Sequence, residues 1–136
     1  MTHEFVDIRE VWDVVRPGLE KVCIDSQPGW RPEDVYASCV NGQSQLLMDT
    51  SRTTEGFLVV ESVPIPFSKQ SKLLLWVAYD PVPDSAVQYA AEVETLARET
   101  GHRQIEILTP HKGLWGLAQQ FGYTLKWAVL NKELKE

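Results

Sequence analysis

The sequence predicts an α/β fold: a mixed, mostly antiparallel sheet with helices on both faces and a central strand-helix-strand parallel unit. Three observations predict it. Strand-like apolar runs follow one another at residues 44–49, 56–63 and 72–79, separated by polar or proline-bearing connections. The run 72–79, Lys-Leu-Leu-Leu-Trp-Val-Ala-Tyr, is apolar almost without interruption, as a strand buried on both faces is. An amphipathic helical pattern at 85–100 then leads into a further strand-like run at 104–109. A strand, a crossing helix and a strand in one sheet close into a right-handed parallel unit.

The elements follow in chain order. Ile8, Val11, Trp12 and Val15 stand at helical spacing over residues 6–16. Pro17-Gly18 interrupts them, and proline removes a backbone donor and crowds the preceding turn. The expectation is either a kink or a break, with a short second helix through Leu19, Val22 and Cys23. Residues 25–30 are a loop. A further helix should start near Pro32, with Glu33 and Asp34 at its positive end and Asn41-Gly42 as its stop.

After the three strands, Asp84 or Ser85 caps the helix of residues 85–100. Its apolar stripe is Ala86, Tyr89, Ala90, Val93, Leu96 and Ala97, and Gly101 ends it. The strand 104–109, a short helix from about Gly113 to Phe121 and a last strand from Tyr123 to Leu130 complete the order.

The chain has 136 residues, which suits one domain able to bury a core without disulfide or metal. A formal net charge of -6 and scattered lysines and arginines argue against a nucleic-acid surface. No apolar run reaches the ~20 residues that span a bilayer, and the first residues do not read as a signal peptide. The two cysteines, Cys23 and Cys39, fall on apolar faces and read as reduced core thiols. With the three histidines they show no metal-ligand spacing. A cytoplasmic setting follows.

The element order resembles that of the GCN5-related N-acetyltransferase (GNAT) superfamily. Three stretches carry the resemblance: Leu73 to Asp80, Ala91 to Gly101, and Leu117 to Tyr123, Leu-Ala-Gln-Gln-Phe-Gly-Tyr. More narrowly, Trp30 to Tyr36, Leu74 to Tyr79 and Thr109-Pro110-His111-Lys112-Gly113 look like stretches of small acetyltransferase-like proteins of tailed phages and prophages. The wider resemblance implies acetyl-CoA as cofactor and N-acyl transfer as activity. The narrower one implies a phage virion component or a protein partner in the bacterial host.

Acetyl transfer to an amine needs a seat for the cofactor's pyrophosphate, an outlet for the amine's proton and a proton for the departing thiolate. In the family the resemblance points to, the seat is a glycine-rich loop opening the long helix. Here that place holds Tyr79-Asp80-Pro81-Val82-Pro83-Asp84-Ser85-Ala86, without a glycine and with two prolines that lack N–H groups. Its two aspartates would repel phosphate. The family's proton-donating tyrosine, five residues before the aromatic of the Gly-aromatic pair, is Ala118 here. Val77, Tyr79, Ser85 and Ala86 are what the resemblance leaves as cofactor-binding candidates, and Glu61 and Tyr79 as proton acceptors. Glu61 alternates with Val60 and Ser62, so it reads equally as a solvent-facing strand residue.

Thr109, His111 and Lys112 lie where a parallel strand's C-terminal end meets a helix. Open α/β sheets bind ligands there, and these residues suit an anion or a partner's carboxylate. Two functions remain open on the sequence. One is an N-acetyltransferase-like protein with acetyl-CoA-dependent chemistry in doubt. The other is a non-catalytic virion component or host-protein-binding module on the same scaffold. No nucleic acid, membrane or metal enters either reading.

Overall fold

The computed structural model describes residues 3–49, 56–80, 86–108, 118–126 and 130–135. The chain opens on a short strand, β1 (His3–Val6), followed by helices α1 (Ile8–Ser26) and α2 (Pro32–Val40). Strands β2 (Ser44–Asp49), β3 (Phe57–Pro64) and β4 (Ser71–Tyr79) form a meander. Helix α3 (Ala86–Glu99) then crosses to β5 (Ile105–Ile107). The sheet order is β1-β2-β3-β4-β5, antiparallel throughout except for the parallel pair β4–β5.

Alternation along the strands sends side chains to two cores. On one face Ile8, Val15 and Leu19 of α1 and Val35 of α2 pack on Leu46, Phe57, Val59 and Val77. On the other, Tyr89, Val93, Leu96 and Ala97 of α3 pack on Leu47, Leu58, Val60, Leu73 and Leu75. The expected mixed sheet with helices on both faces is what forms, and β4 is an interior strand as its apolar run requires. No helix among the described residues is long and apolar enough to cross a membrane.

Helix ends follow their local chemistry. Asp7 caps α1 by accepting from Arg9 N at 3.0 Å. Asp34 Oδ2 accepts from Arg31 N at 2.8 Å at the start of α2. Gly42 and Gly101 take the left-handed backbone, φ 85° and 79°, that ends α2 and α3.

Three expectations need correction. β1 was not foreseen: it has four residues, and the one it buries is a histidine, so it carries no apolar period. Residues 8–26 run as one helical element with a kink, as one of the two expected alternatives has it, but the kink lies at Val11 (φ -123°, ψ 15°) and not at Pro17. Pro17 and Asp13, whose carbonyl loses its N–H partner to the proline, both lie on the exposed side of the helix. The last strand is not formed at residues 123–126 or at 130; Leu125 and Leu130 are 65% and 95% exposed. Alternation alone does not make a strand without a ladder to join.

Gly18 has a packing role. A Cβ there would stand 2.7 Å from Tyr79 Cδ1 and 2.8 Å from Phe57 Cε1, so α1 can lie on the β3–β4 pair only because residue 18 has no side chain. Gly18→Ala gains about 1 kcal/mol of helix propensity but forces an overpacking cost of roughly 1–3 kcal/mol. Urea denaturation should show Gly18→Ala less stable than wild type and Gly18→Val less stable still. An alanine variant more stable than wild type would refute the close approach.

Candidate functional site: an opened edge on strand β4

The β3–β4 ladder contains one irregularity. Val59 pairs with Val77 and Val60 with Leu75, so Trp76 is an extra residue on β4. Such a bulge reverses the alternation beyond it. Leu73 and Leu75 face α3, whereas Val77 joins the core under α1 and α2. Without the bulge, residues 73, 75 and 77 would share a face. Trp76 packs against the α1–α2 core and makes an edge contact with Trp30 of the α1–α2 loop, ring centroids 5.6 Å apart.

The parallel pairing with β5 stops at the same place. Its register runs Leu73↔Ile105, Leu74↔Glu106 and Leu75↔Ile107. Among the described residues no strand pairs with β4 beyond Leu75 on that side. The backbone directions there follow from two contacts. Leu73 N donates to Gln104 O at 2.9 Å, so residues facing α3 turn their backbone groups toward β5. The Tyr79 carbonyl lies within 3.1 Å of where a Gly56 side chain would begin, so Tyr79 turns its groups toward β3. Ala78, between Val77 and Tyr79, therefore presents its N–H and C=O to the opened side, and its side chain is exposed. Trp76 packs against the core as its place in the apolar run suggests, but nothing in an unbroken apolar run marks it as the bulged residue or singles out Ala78.

The candidates fall as follows. Val77 is buried in the α1–α2 core, and Tyr79 lies over Phe57 with ring centroids 5.4 Å apart. Glu61 sits opposite Leu74 and accepts from Gln43 Nε2 at 3.1 Å. It is partly buried rather than fully solvated. Glu61 and Tyr79 are not brought together: the partner of Tyr79 is Phe57, four residues from Glu61, a separation on the order of 13 Å. Ala86 is the first residue of α3. Ser85, Thr109, His111 and Lys112 lie outside the described residues.

Beside the opening, a polar cluster ties α3 to the sheet. Tyr89 Oη donates to Asp80 Oδ2 at 2.7 Å, bridging the end of β4 and the first turns of α3. Gly56 makes room for it, since a Cβ there would meet Tyr89 Oη at 2.6 Å. His3, 2% exposed, sets its ring edge against Tyr89 at 5.1 Å, and its Nδ1 pairs with Glu92 Oε2. Cys39 offers no nucleophile, because burial pushes its thiol up to about 11. Among the described residues no group of His, Cys, Asp or Glu is placed to hold a metal ion.

No protein-family model matches the chain, and neither does any curated protein. Solved structures do match. A ribosomal-protein-alanine N-acetyltransferase from Brucella melitensis biovar Abortus 2308 superposes with a TM-score of 0.69 at 11% identity, covering 98% of each chain. A predicted acetyltransferase from Clostridium acetobutylicum, solved with acetyl-CoA, gives 0.68 at 11% identity over 95% of this chain and 94% of that one. An aminoglycoside acetyltransferase from an uncultured soil metagenomic sample, in complex with sisomicin, gives 0.65 at 8% identity over 98% and 95%. This chain has the GNAT acetyltransferase fold. At such identities the likeness extends to the fold alone.

The Tyr89–Asp80 bond carries a stability prediction. Tyr89→Phe removes it with little change in shape and should cost about 1 kcal/mol. Gly56→Ala should cost more, since its methyl displaces the hydroxyl and presses on Asp80. Thermal unfolding checks both; if the two variants melt with wild type, the bridge does not hold α3 in place.

Proposed function

We propose that this chain is an acetyl-CoA-dependent N-acyltransferase in which the pantetheine arm is held along the opened edge of β4 and the pyrophosphate only weakly. The supporting observation is the coincidence of the Trp76 bulge with the end of β5 pairing. An extended amide arm suits the Ala78 N–H and C=O as an added strand would. Trp76, the bulged residue, and Trp30 against it lie on the α1–α2 side, where an acceptor amine would approach. When bound, acetyl-CoA would supply the thioester carbonyl for attack by an acceptor amine, its thiol being the leaving group. Glu61, two residues along β3 from the bulge, is the carboxylate proposed to receive the amine's proton through water.

The residues fit the two ends of the cofactor unequally. The β4 edge suits the arm. The chain beyond it begins with Asp80, whose carboxylate is fixed by Tyr89 close to the start of α3, where an anion would otherwise be welcome. Val77, Tyr79, Ser85 and Ala86 keep their place as the cofactor-binding stretch, with the charge of Asp80 set against phosphate. Thr109, His111 and Lys112 are proposed as the compensating anion site after β5. The likeness of Trp30 to Tyr36 and of Thr109 to Gly113 to phage and prophage proteins supports a phage-related role. It also supports the rival reading, a non-catalytic virion or host-binding protein.

Titration calorimetry with acetyl-CoA at low salt tests the proposal. The dissociation constant should lie near 100 μM to 1 mM, about 4–5.5 kcal/mol. Asp80→Asn keeps an oxygen for Tyr89 but removes the charge, and should tighten binding roughly fivefold, on the order of 1 kcal/mol. Low-micromolar binding by wild type would contradict the weakened phosphate seat. No heat at millimolar cofactor would overturn the enzymatic reading in favour of the binding one.

A further inference from the structure

A second constellation lies near the other end of the sheet, away from the β4 opening. Ser62 on β3 stands opposite Leu73, six residues along β4 from Tyr79. Its hydroxyl lies 2.8 Å from His102 Nε2, and His102 Nδ1 lies 2.7 Å from Thr100 Oγ1. Thr100 Oγ1 is also 2.7 Å from the Leu96 carbonyl, with the Ala97 carbonyl at 3.3 Å.

Those distances fix the protons. A carbonyl has none, so the Thr100 hydroxyl must donate to Leu96 O. Thr100 Oγ1 then accepts from His102, whose Nδ1 carries the hydrogen. In the neutral imidazole this leaves Nε2 as the acceptor, and the Ser62 hydroxyl donates to it. The backbone enforces the arrangement. Gly101 turns left-handed, and His102 N donates to Ala97 O at 2.8 Å, folding the histidine back over the end of α3 toward Thr100. A hydroxyl, a base poised to take its proton and a third group orienting the base are the parts of an activated nucleophile.

We propose that Ser62 and His102 form a nucleophile–base pair that attacks small, activated acyl esters and thioesters. Ser62 Oγ bonds to the acyl carbon as the donor's C–O or C–S bond breaks. The hydroxyl proton passes to His102 Nε2 and from there to the leaving alkoxide or thiolate. Water then hydrolyses the Ser62 ester by the same base, returning free acid and the serine, with no change of oxidation state. Ser62 is exposed, which limits the substrates to compact and intrinsically reactive acyl groups. Thr100 is a positioning residue that acts through His102.

The test uses the whole chain with a fluorophosphonate probe, which labels an activated serine by losing fluoride, and with p-nitrophenyl acetate as acyl donor. Ser68 is an internal control: it is also exposed, and its hydroxyl accepts from Gln70 N at 3.1 Å with no base involved. Peptide mass mapping should find Ser62 labelled about a hundredfold or more faster than Ser68, the low end of general-base assistance. His102→Asn should bring Ser62 down to the rate of Ser68, and Ser62→Ala should abolish the p-nitrophenyl acetate activity above background. Thr100→Val should slow labelling, and Thr100→Ser, which keeps the hydroxyl, should restore it. Equal labelling of Ser62 and Ser68 in the wild-type protein would overturn the proposal without recourse to any variant. An unchanged rate in folded His102→Asn would overturn it as well.

Discussion

One extra residue in β4 sets how the two cores divide the sheet. With Trp76 unpaired by β3, the strand's inward and outward faces exchange between Leu75 and Val77. The N-terminal half of β4 serves the α3 core and its C-terminal end serves the α1–α2 core. Among the described residues, Leu75 is also the last of β4 to pair with β5. A bulge bends its strand and strengthens the local twist, so a neighbour that follows the first half of β4 diverges from the second. Among the described residues, the end of the β4–β5 pairing thus coincides with a change of strand register.

The packing around the opening supports the same reading. Gly18 brings α1 down on Tyr79 and Phe57, fixing one side of the β4 end. Gly56 and the Tyr89–Asp80 bond fix the other, with His3 and Glu92 behind them. Both glycines are there because a neighbour occupies the space of a Cβ. Neither has the left-handed backbone that would mark it as a turn residue.

Much of the fold was legible because its signals are periodic. The apolar run of β4, the stripe of α3 and the caps at Pro32 and Gly101 translate directly into elements. What was hidden is instructive. Pro17-Gly18 reads as a kink or a break, yet the kink falls at Val11, and past it the proline lies on the solvent side and the glycine on the sheet side of the helix. β1 was invisible because its buried residue is His3, held by Glu92 and Tyr89, contacts that sequence periodicity does not register. The sequence singles out Val77 and Tyr79, whereas the bulge turns the backbone groups of Ala78, between them, away from β3. Glu61 was placed on the right strand, and its partner, Gln43, comes from the turn before β2 and so could not be inferred from alternation.

Residue-resolved amide hydrogen exchange along β4 tests the central claim most directly. Slow exchange is expected at Leu73, whose N–H is bonded to Gln104. Val77 and Tyr79, directed at β3, should also exchange slowly, and Ala78 should exchange rapidly in the free protein. Saturating acetyl-CoA should slow Ala78 selectively. Ala78 as protected as Leu73 without ligand, or unaffected by millimolar acetyl-CoA, would contradict it.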